Sequence, residues 1–225
     1  MERAAPDPTR HAMFHFPSWS LTVRDLSGLL AAGALVYVVL IVTFGFSPKT
    51  TDVGYQPTQP VPFSHAIHAG QLGMDCRYCH SSVEKAGHAA VPPTATCMNC
   101  HAMIHTESPN LQVVRDAVAT GDAIPWVRVH DLPDHAHFNH AAHLAAGVGC
   151  SSCHGRVDRM EVVHQVNTLS MGWCLDCHRN PDKHIRPQSE ITNMSWDLDN
   201  DGSLGAELRA AHGIAPKQNC STCHR

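Results

Sequence analysis

The sequence predicts a mostly irregular fold, in which short α-helices pack around embedded groups behind one N-terminal transmembrane helix. Three observations carry that expectation. All ten cysteines fall into pairs of one spacing, each followed at once by a histidine. A run of 21 residues, 26–46, carries no charge. Outside that run aromatic and branched side chains are thin, with 6% aromatics over 225 residues. Side chains alone make an undersized core for this length, so something else fills it.

The pairs are Cys76/Cys79, Cys97/Cys100, Cys150/Cys153, Cys174/Cys177 and Cys220/Cys223, followed by His80, His101, His154, His178 and His224. C-x-x-C-H is the attachment signature of c-type haem. The two thiols add across the haem vinyl groups, and the adjacent histidine becomes the proximal iron ligand. Zinc ribbons or disulfides need the cysteine pairs but not the histidine. With 19 histidines in 225 residues, five matches out of five by chance have a probability of about a few in a million. The sequence therefore calls for five covalently bound c-type haems, sites one to five in chain order, with no thiol left over. A net charge of −4 with neutral histidines, and no Lys/Arg cluster, excludes a basic face for nucleic acid.

The uncharged run is long enough to cross a bilayer once. Arg3, Arg10 and Arg24 precede it, whereas only Lys49 follows it closely. That bias puts residues 1–25 in the cytoplasm, residues 26–48 in the membrane as an uncleaved anchor, and the rest outside the cytoplasmic membrane. The haem domain is thus expected on the periplasmic side of a bacterial inner membrane, where c-type haem is attached. On this topology His11 and His15 cannot reach the haems. Residues 49–62, with three prolines and no apolar periodicity, read as an extended linker. Residues 63–225 form the haem domain.

Inside that domain a module is duplicated. The string FSHAIHAGQLGMDCRYCH (63–80) matches FNHAAHLAAGVGCSSCH (138–154), with one residue fewer between histidine and cysteine. Further on, His88 lies nine residues before Cys97, and His164 ten before Cys174. The modules are 63–107 and 138–185, with the fifth haem site at 212–225. Together they offer His65, His68, His88, His140, His143 and His164, six candidate distal ligands for five irons. On a short helix, histidines three apart share a face but point to different neighbours. Met171, three residues before Cys174, competes as a ligand that would raise a reduction potential. His130 is isolated and suits either ligation or a propionate hydrogen bond, and His212 is a reserve ligand. His105, His135, His137 and His184 read as surface or supporting residues.

Two further segments are structural in character. Residues 108–121 have a Ser N-cap, Pro at the first helical position, apolar Leu111, Val114 and Val118, and a Gly stop, which predicts a short amphipathic helix between the modules. DLDNDG (197–202) matches the first half of a calcium loop, but its twelfth position is Leu208, so a solvated acidic turn is expected.

The F-x-H-x-x-H motifs resemble those of the small class III multihaem cytochromes. That resemblance implies that His65 pairs with His80 and His140 with His154, while His68 and His143 serve other haems, the second and fourth being the candidates. The full order of elements, with the strings PWVRVHDLPD and SMGWCLDCHR, resembles the pentahaem cytochrome c subunit of alternative complex III, a bacterial quinol-oxidising membrane complex. The resemblance implies an electron-transfer subunit that is not an enzyme by itself. Its partners would be an iron–sulfur subunit, multi-span quinol-binding subunits and a monohaem cytochrome c. It also implies mostly bis-histidine haems with one His/Met haem. A stand-alone membrane-anchored quinol dehydrogenase feeding periplasmic reductases is the alternative. In that class the first haem motif follows the helix closely, whereas here about 30 residues intervene. A multihaem enzyme would need an open iron, often at C-x-x-C-K, and the chain has no such motif.

Overall fold

The computed structural model describes residues 15–196 and 202–224. The calcium-like turn at 197–202 lies almost wholly outside the described residues. Two units divide the chain at Ser47/Pro48, and each is taken by itself.

In the first unit, α1 (Ser18–Leu40) continues as a widened π-type turn, Ile41–Gly45. Together they span 28 residues, within which the most apolar 18-residue stretch has a mean hydropathy of 2.3, and none of α1 is buried. Among the described residues this is the one helix long and apolar enough to cross a membrane. It starts eight residues before the uncharged run, because backbone hydrogen bonding tolerates charges that a bilayer does not. Arg24 and Asp25 sit within it as an exposed ion pair at 3.1 Å.

The second unit contains nine short helices among its described residues: α2 (Pro48–Thr51), α3 (Cys76–Cys79), α4 (Thr94–His101), α5 (Gln112–Thr120), α6 (His140–Ala145), α7 (Cys150–His154), α8 (Met171–Arg179), α9 (Ser203–His212) and α10 (Cys220–Cys223). No strand forms among them; β-pairing is limited to the isolated bridges Ala136–His224 and Val148–Ile185. The apolar core is small and split. Val61, Val114, Ala117 and Ile124 make one cluster, and Val83, Leu144 and Ile191 another. Each cluster touches a haem-motif cysteine, Cys97 in the first and Cys150 in the second. The side-chain core is as thin as the composition demands.

Contacts add to two sequence expectations. The linker, residues 49–62, runs along the domain itself after α2. Gly54 N–H donates to the Gln165 carbonyl at 2.7 Å, and Gln165 N–H returns a bond to Tyr55 at 3.1 Å. Gln59 clamps the Val127 backbone with both ends of its amide, at 2.8 and 3.0 Å. Prolines preclude a helix here but not docking, which the side-chain amides supply. In α5 the buried positions are Val114 and Ala117, whereas Val118 is exposed. A 3₁₀ turn, Pro109–Leu111, precedes the helix, and Leu111 packs against the cluster that holds Val114 and Ala117. The Ser108 hydroxyl makes no cap, and Gly121 ends the helix at φ 80°, as a glycine stop should.

The twin modules fold alike, with one informative difference. In the first, a π-type turn (Ala66–Gln71) follows His65 and carries His68; in the second, α6 carries both His140 and His143. A π-turn accommodates one inserted residue in a helix, and the first module has one more residue between His and Cys. Ser64 and Asn139 hold the same capping slot: the Ser64 hydroxyl accepts from Ile67 N–H at 3.1 Å and the Asn139 amide oxygen from Ala142 N–H at 3.3 Å. Gly70 brings the first turn against the 3₁₀ turn Val157–Arg159, so close that a Cβ would overlap the Asp158 carbonyl oxygen.

Candidate haem sites

Each cysteine pair lies on one helical turn, α3, α4, α7, α8 or α10. Residues three apart on a helix share a face, so both thiols of a pair address one group. The following histidine stays in register: His80 N–H donates to the Cys76 carbonyl and His224 N–H to that of Cys220, both at 2.9 Å. Three of these turns are preceded by residues that suit an N-terminus. The Asp75 carboxylate accepts from Arg77 N–H at 2.8 Å, the Ser170 hydroxyl accepts from Trp173 N–H at 3.4 Å, and Asn219 occupies the slot before α10. None of the ten cysteines is in a disulfide. Among the described residues, no three His, Cys, Asp or Glu side chains converge as a zinc site would require.

The motif repeats, but its ten thiols differ in burial. Cys76, Cys79, Cys97, Cys150, Cys153, Cys174, Cys177 and Cys223 are partly buried, whereas Cys100 and Cys220 are exposed. The reason at Cys100 is one-sided packing of α4. Cys97 lies against the cluster of Val61, Val114, Ala117 and Ile124, and Cys100, one turn further on, has no place in that cluster. The pair Cys97/Cys100 therefore has one sheltered thiol and one that the polypeptide leaves open to solvent. The pair Cys220/Cys223 divides in the same way near the chain's end.

The histidine rings are aimed by backbone carbonyls. Nδ1 of His80 meets the Ala90 carbonyl at 2.9 Å, His101 that of Ile104 at 3.0 Å, His178 that of Lys217 at 2.6 Å and His224 that of His135 at 3.1 Å. On the other side, Nδ1 of His68 bonds the Ser64 carbonyl and that of His143 the Asn139 carbonyl, both at 2.8 Å, while His140 bonds that of Gly87 at 2.9 Å. A proton held at Nδ1 leaves the Nε2 lone pair for a metal.

The rings then face one another in pairs. His68 and His101 have centroids 6.2 Å apart, His140 and His154 6.3 Å, and His143 and His178 6.1 Å. Two imidazoles bound through Nε2 on opposite sides of one metal, each about 2 Å from it, have centroids about 6 Å apart. The donor set therefore fits haem iron. Phe63 and Phe138 set the histidines of their motifs identically. Phe63 is edge-on to His65 at 4.8 Å and stacked on His68 at 4.3 Å; Phe138 is edge-on to His140 at 4.7 Å and stacked on His143 at 4.5 Å.

Burial favours the neutral form, the one that ligates, at His65, His130, His140, His143 and His154. It lowers the His154 pKa to about 3, with His130, His140 and His80 adding to the effect, and that of His65 to about 4, with His80 and His68 adding. His140, His143 and His130 are also lowered, first by burial. His65 Nδ1 and His130 Nε2 are buried without a hydrogen-bond partner. His130 stands edge-on to His154 at 4.4 Å, too close to share an iron with it.

The remaining candidates are less enclosed. His88 is exposed, and its carbonyl accepts from the Ser82 hydroxyl at 3.2 Å. His164 is half-buried beside His130. His212 ends α9 in solvent, and Met171, at the start of α8, is 65% exposed. The structure also brings in groups that sequence reasoning missed: the carbonyls of Ala90, Ile104, Lys217, Gly87 and His135. Every residue has a carbonyl, so no sequence signal marks them.

Residues 136–225 match the family described as cytochrome c7 and related cytochrome c, and residues 46–124 match the class III cytochrome c family. The chain is also 34% identical over 188 residues to a protein of Nitratidesulfovibrio vulgaris (Hildenborough), covering 73% of this chain and 86% of that one. That relative is named menaquinone reductase, multiheme cytochrome c subunit. The chain is a multihaem cytochrome c. Covalent c-type haem and an electron-transfer role come with that family. The cytochrome's paired cysteines would hold each haem, and its histidines the iron. When bound, haem held by these residues would supply one-electron exchange between Fe(III) and Fe(II). The polypeptide sets ligand identity, ring orientation and burial.

Proposed function

We propose that this cytochrome binds five haems and relays electrons released by quinol oxidation in partner membrane subunits to a periplasmic cytochrome c or another external acceptor. The observation that carries the reading is the set of three proximal–distal ring pairs near 6 Å, which suits closed, six-coordinate iron. His101 takes His68, His154 takes His140, and His178 takes His143. His65, whose buried ring senses His80, completes the first site. Met171 completes the fifth: it shares the face of α8 with Cys174, which lies within electrostatic range of Cys223. His88, His164, His130 and His212 then serve as hydrogen-bonding or surface residues. Cys97 and Cys100 together attach the second haem, Cys100 from its exposed position.

The complex resembles alternative complex III, with an iron–sulfur subunit, multi-span quinol-binding subunits and a monohaem cytochrome c as partners. α1 anchors the chain with its N-terminus cytoplasmic and the haem domain periplasmic, in keeping with Arg24 before the apolar span and the basic residues further upstream. The relative's name gives the reduction of menaquinone, the reverse direction. Relay haems conduct either way, and the direction follows from the potentials of the groups at the two ends. Purification from the native membrane tests the proposal. Five haems per chain by pyridine haemochrome, together with iron–sulfur and multi-span quinol subunits, support it. A cytochrome that purifies alone and oxidises quinol would favour the stand-alone dehydrogenase.

A further inference from the structure

We propose that the five haem sites stand in single file in the order two, one, three, four, five, out of chain order, with sites two and five as the ends. The inference rests on the five-haem reading above, and each link has its own contact.

Sites two and one are joined by the first F-x-H-x-x-H motif. Phe63 packs on both His65 and His68, and His68 faces His101 of site two at 6.2 Å. Cys79 of site one also lies within electrostatic range of Cys97 of site two.

Sites one and three meet where the modules touch. The thiols of Cys76 and Cys150 lie close enough to interact electrostatically. The loop after His80 holds the opposite ligand: Gly87 accepts from His140 N–H at 3.1 Å and from its ring at 2.9 Å, and Ala86 accepts from Ala141 N–H at 3.3 Å. His140 in turn faces His154 of site three at 6.3 Å.

Sites three and four repeat the first link. Phe138 packs on His140 and His143, which face His154 and His178 respectively. Cys153 lies within electrostatic range of Cys177 and Cys174. Sites four and five are tied by the segment leading into α10. Lys217, three residues before Cys220, accepts from the His178 ring at 2.6 Å, and the Gln218 amide donates to the His178 carbonyl at 3.4 Å.

The order has a physical origin in the duplication. Each F-x-H-x-x-H motif joins its module's first site to its second. The two modules then meet through their first sites, so the first module runs backwards along the file and the second forwards. The extra motif at the C-terminus extends one end only. Sites two and five are left with one neighbour each, which makes them the two ports for electrons. The two exposed cysteines, Cys100 and Cys220, belong to these end sites.

Cryo-electron microscopy of the purified, haem-loaded full chain in its native complex, alongside a haem count, tests this directly. The expected nearest iron pairs are two–one, one–three, three–four and four–five. Five haems with a different set of nearest pairs, such as two–three, one–four or one–five, would overturn the order and leave the electron-transfer reading standing. A count below five would overturn the five-haem reading, and the order with it.

Discussion

His143 and His178 are 35 positions apart in the chain, yet their imidazole centroids lie 6.1 Å apart, each ring held at Nδ1 by a backbone carbonyl. His68 and His101, 33 positions apart, repeat the arrangement at 6.2 Å. In both modules the second histidine of the motif leaves its own cysteine pair and faces the proximal ring of the next one. The module is therefore a two-site unit, and its second site is incomplete without the motif that precedes the first.

Removing that second histidine should open one iron. His68→Ala and His143→Ala are each expected to keep all haems attached, because the thioether bonds are untouched. Each should convert one haem to high-spin ferric iron in low-temperature EPR. His105→Ala is the control and should leave the spectrum unchanged. A fully low-spin spectrum for either motif variant would remove that histidine from the ligand set.

Met171→His should lower the potential of a single haem by on the order of 0.1 V, a fraction of the roughly 0.8 V over which axial ligands act. A redox titration in which every potential stays in place would exclude Met171 as a ligand.

Gly70→Ala puts a methyl group against the Asp158 carbonyl, where backbone and not a flexible side chain must yield. A cost of about 1–3 kcal/mol is expected, read as a drop of several degrees in the melting midpoint. Gly213→Ala is the comparison: its Cβ would meet nothing within 4 Å, so its cost is limited to backbone strain at φ 62°. Equal losses for the two would show that the contact at Gly70 does not constrain the turn.

Stability should fall as the pH is lowered from 7 towards 4. Burial holds His65 at about 4 and His154 at about 3, so the folded chain keeps these rings neutral. The unfolded chain takes up their protons below about 6.5. Between those values the unfolded state binds more protons, which favours unfolding as the pH drops and has no effect above 7. Melting midpoints recorded from pH 8 to pH 5 would show the decline, and a midpoint that rises on acidification would contradict it.

Much of the site was legible because its chemistry is local. A thioether pair and its proximal ligand fit within one helical turn, so Cys150, Cys153 and His154 announce themselves by spacing alone. The duplication was equally visible, down to the extra residue that becomes a π-turn in the first module. The apolar span was legible from composition, although its helix starts earlier, at Ser18, where hydrogen bonding and not hydropathy sets the limit. The prolines of residues 49–62 are visible in sequence, whereas the clamp by Gln59 on Val127 depends on a chain segment 68 residues away. The exposure of Cys100 was hidden for the same reason: its motif is identical to the others, and only the packing around α4 sets it apart.

The candidate attachment cysteines, the candidate proximal histidines and the presence of two like modules are readable from residue type and short-range spacing, which no distant contact can alter. Which distal ring faces which proximal ring, which carbonyl aims it, and which modules' thiols meet are different in kind. Cys76 and Cys150, or His224 and the carbonyl of His135, are brought together by packing across tens of residues. Spacing along the chain carries no record of such contacts, and only the folded backbone creates them.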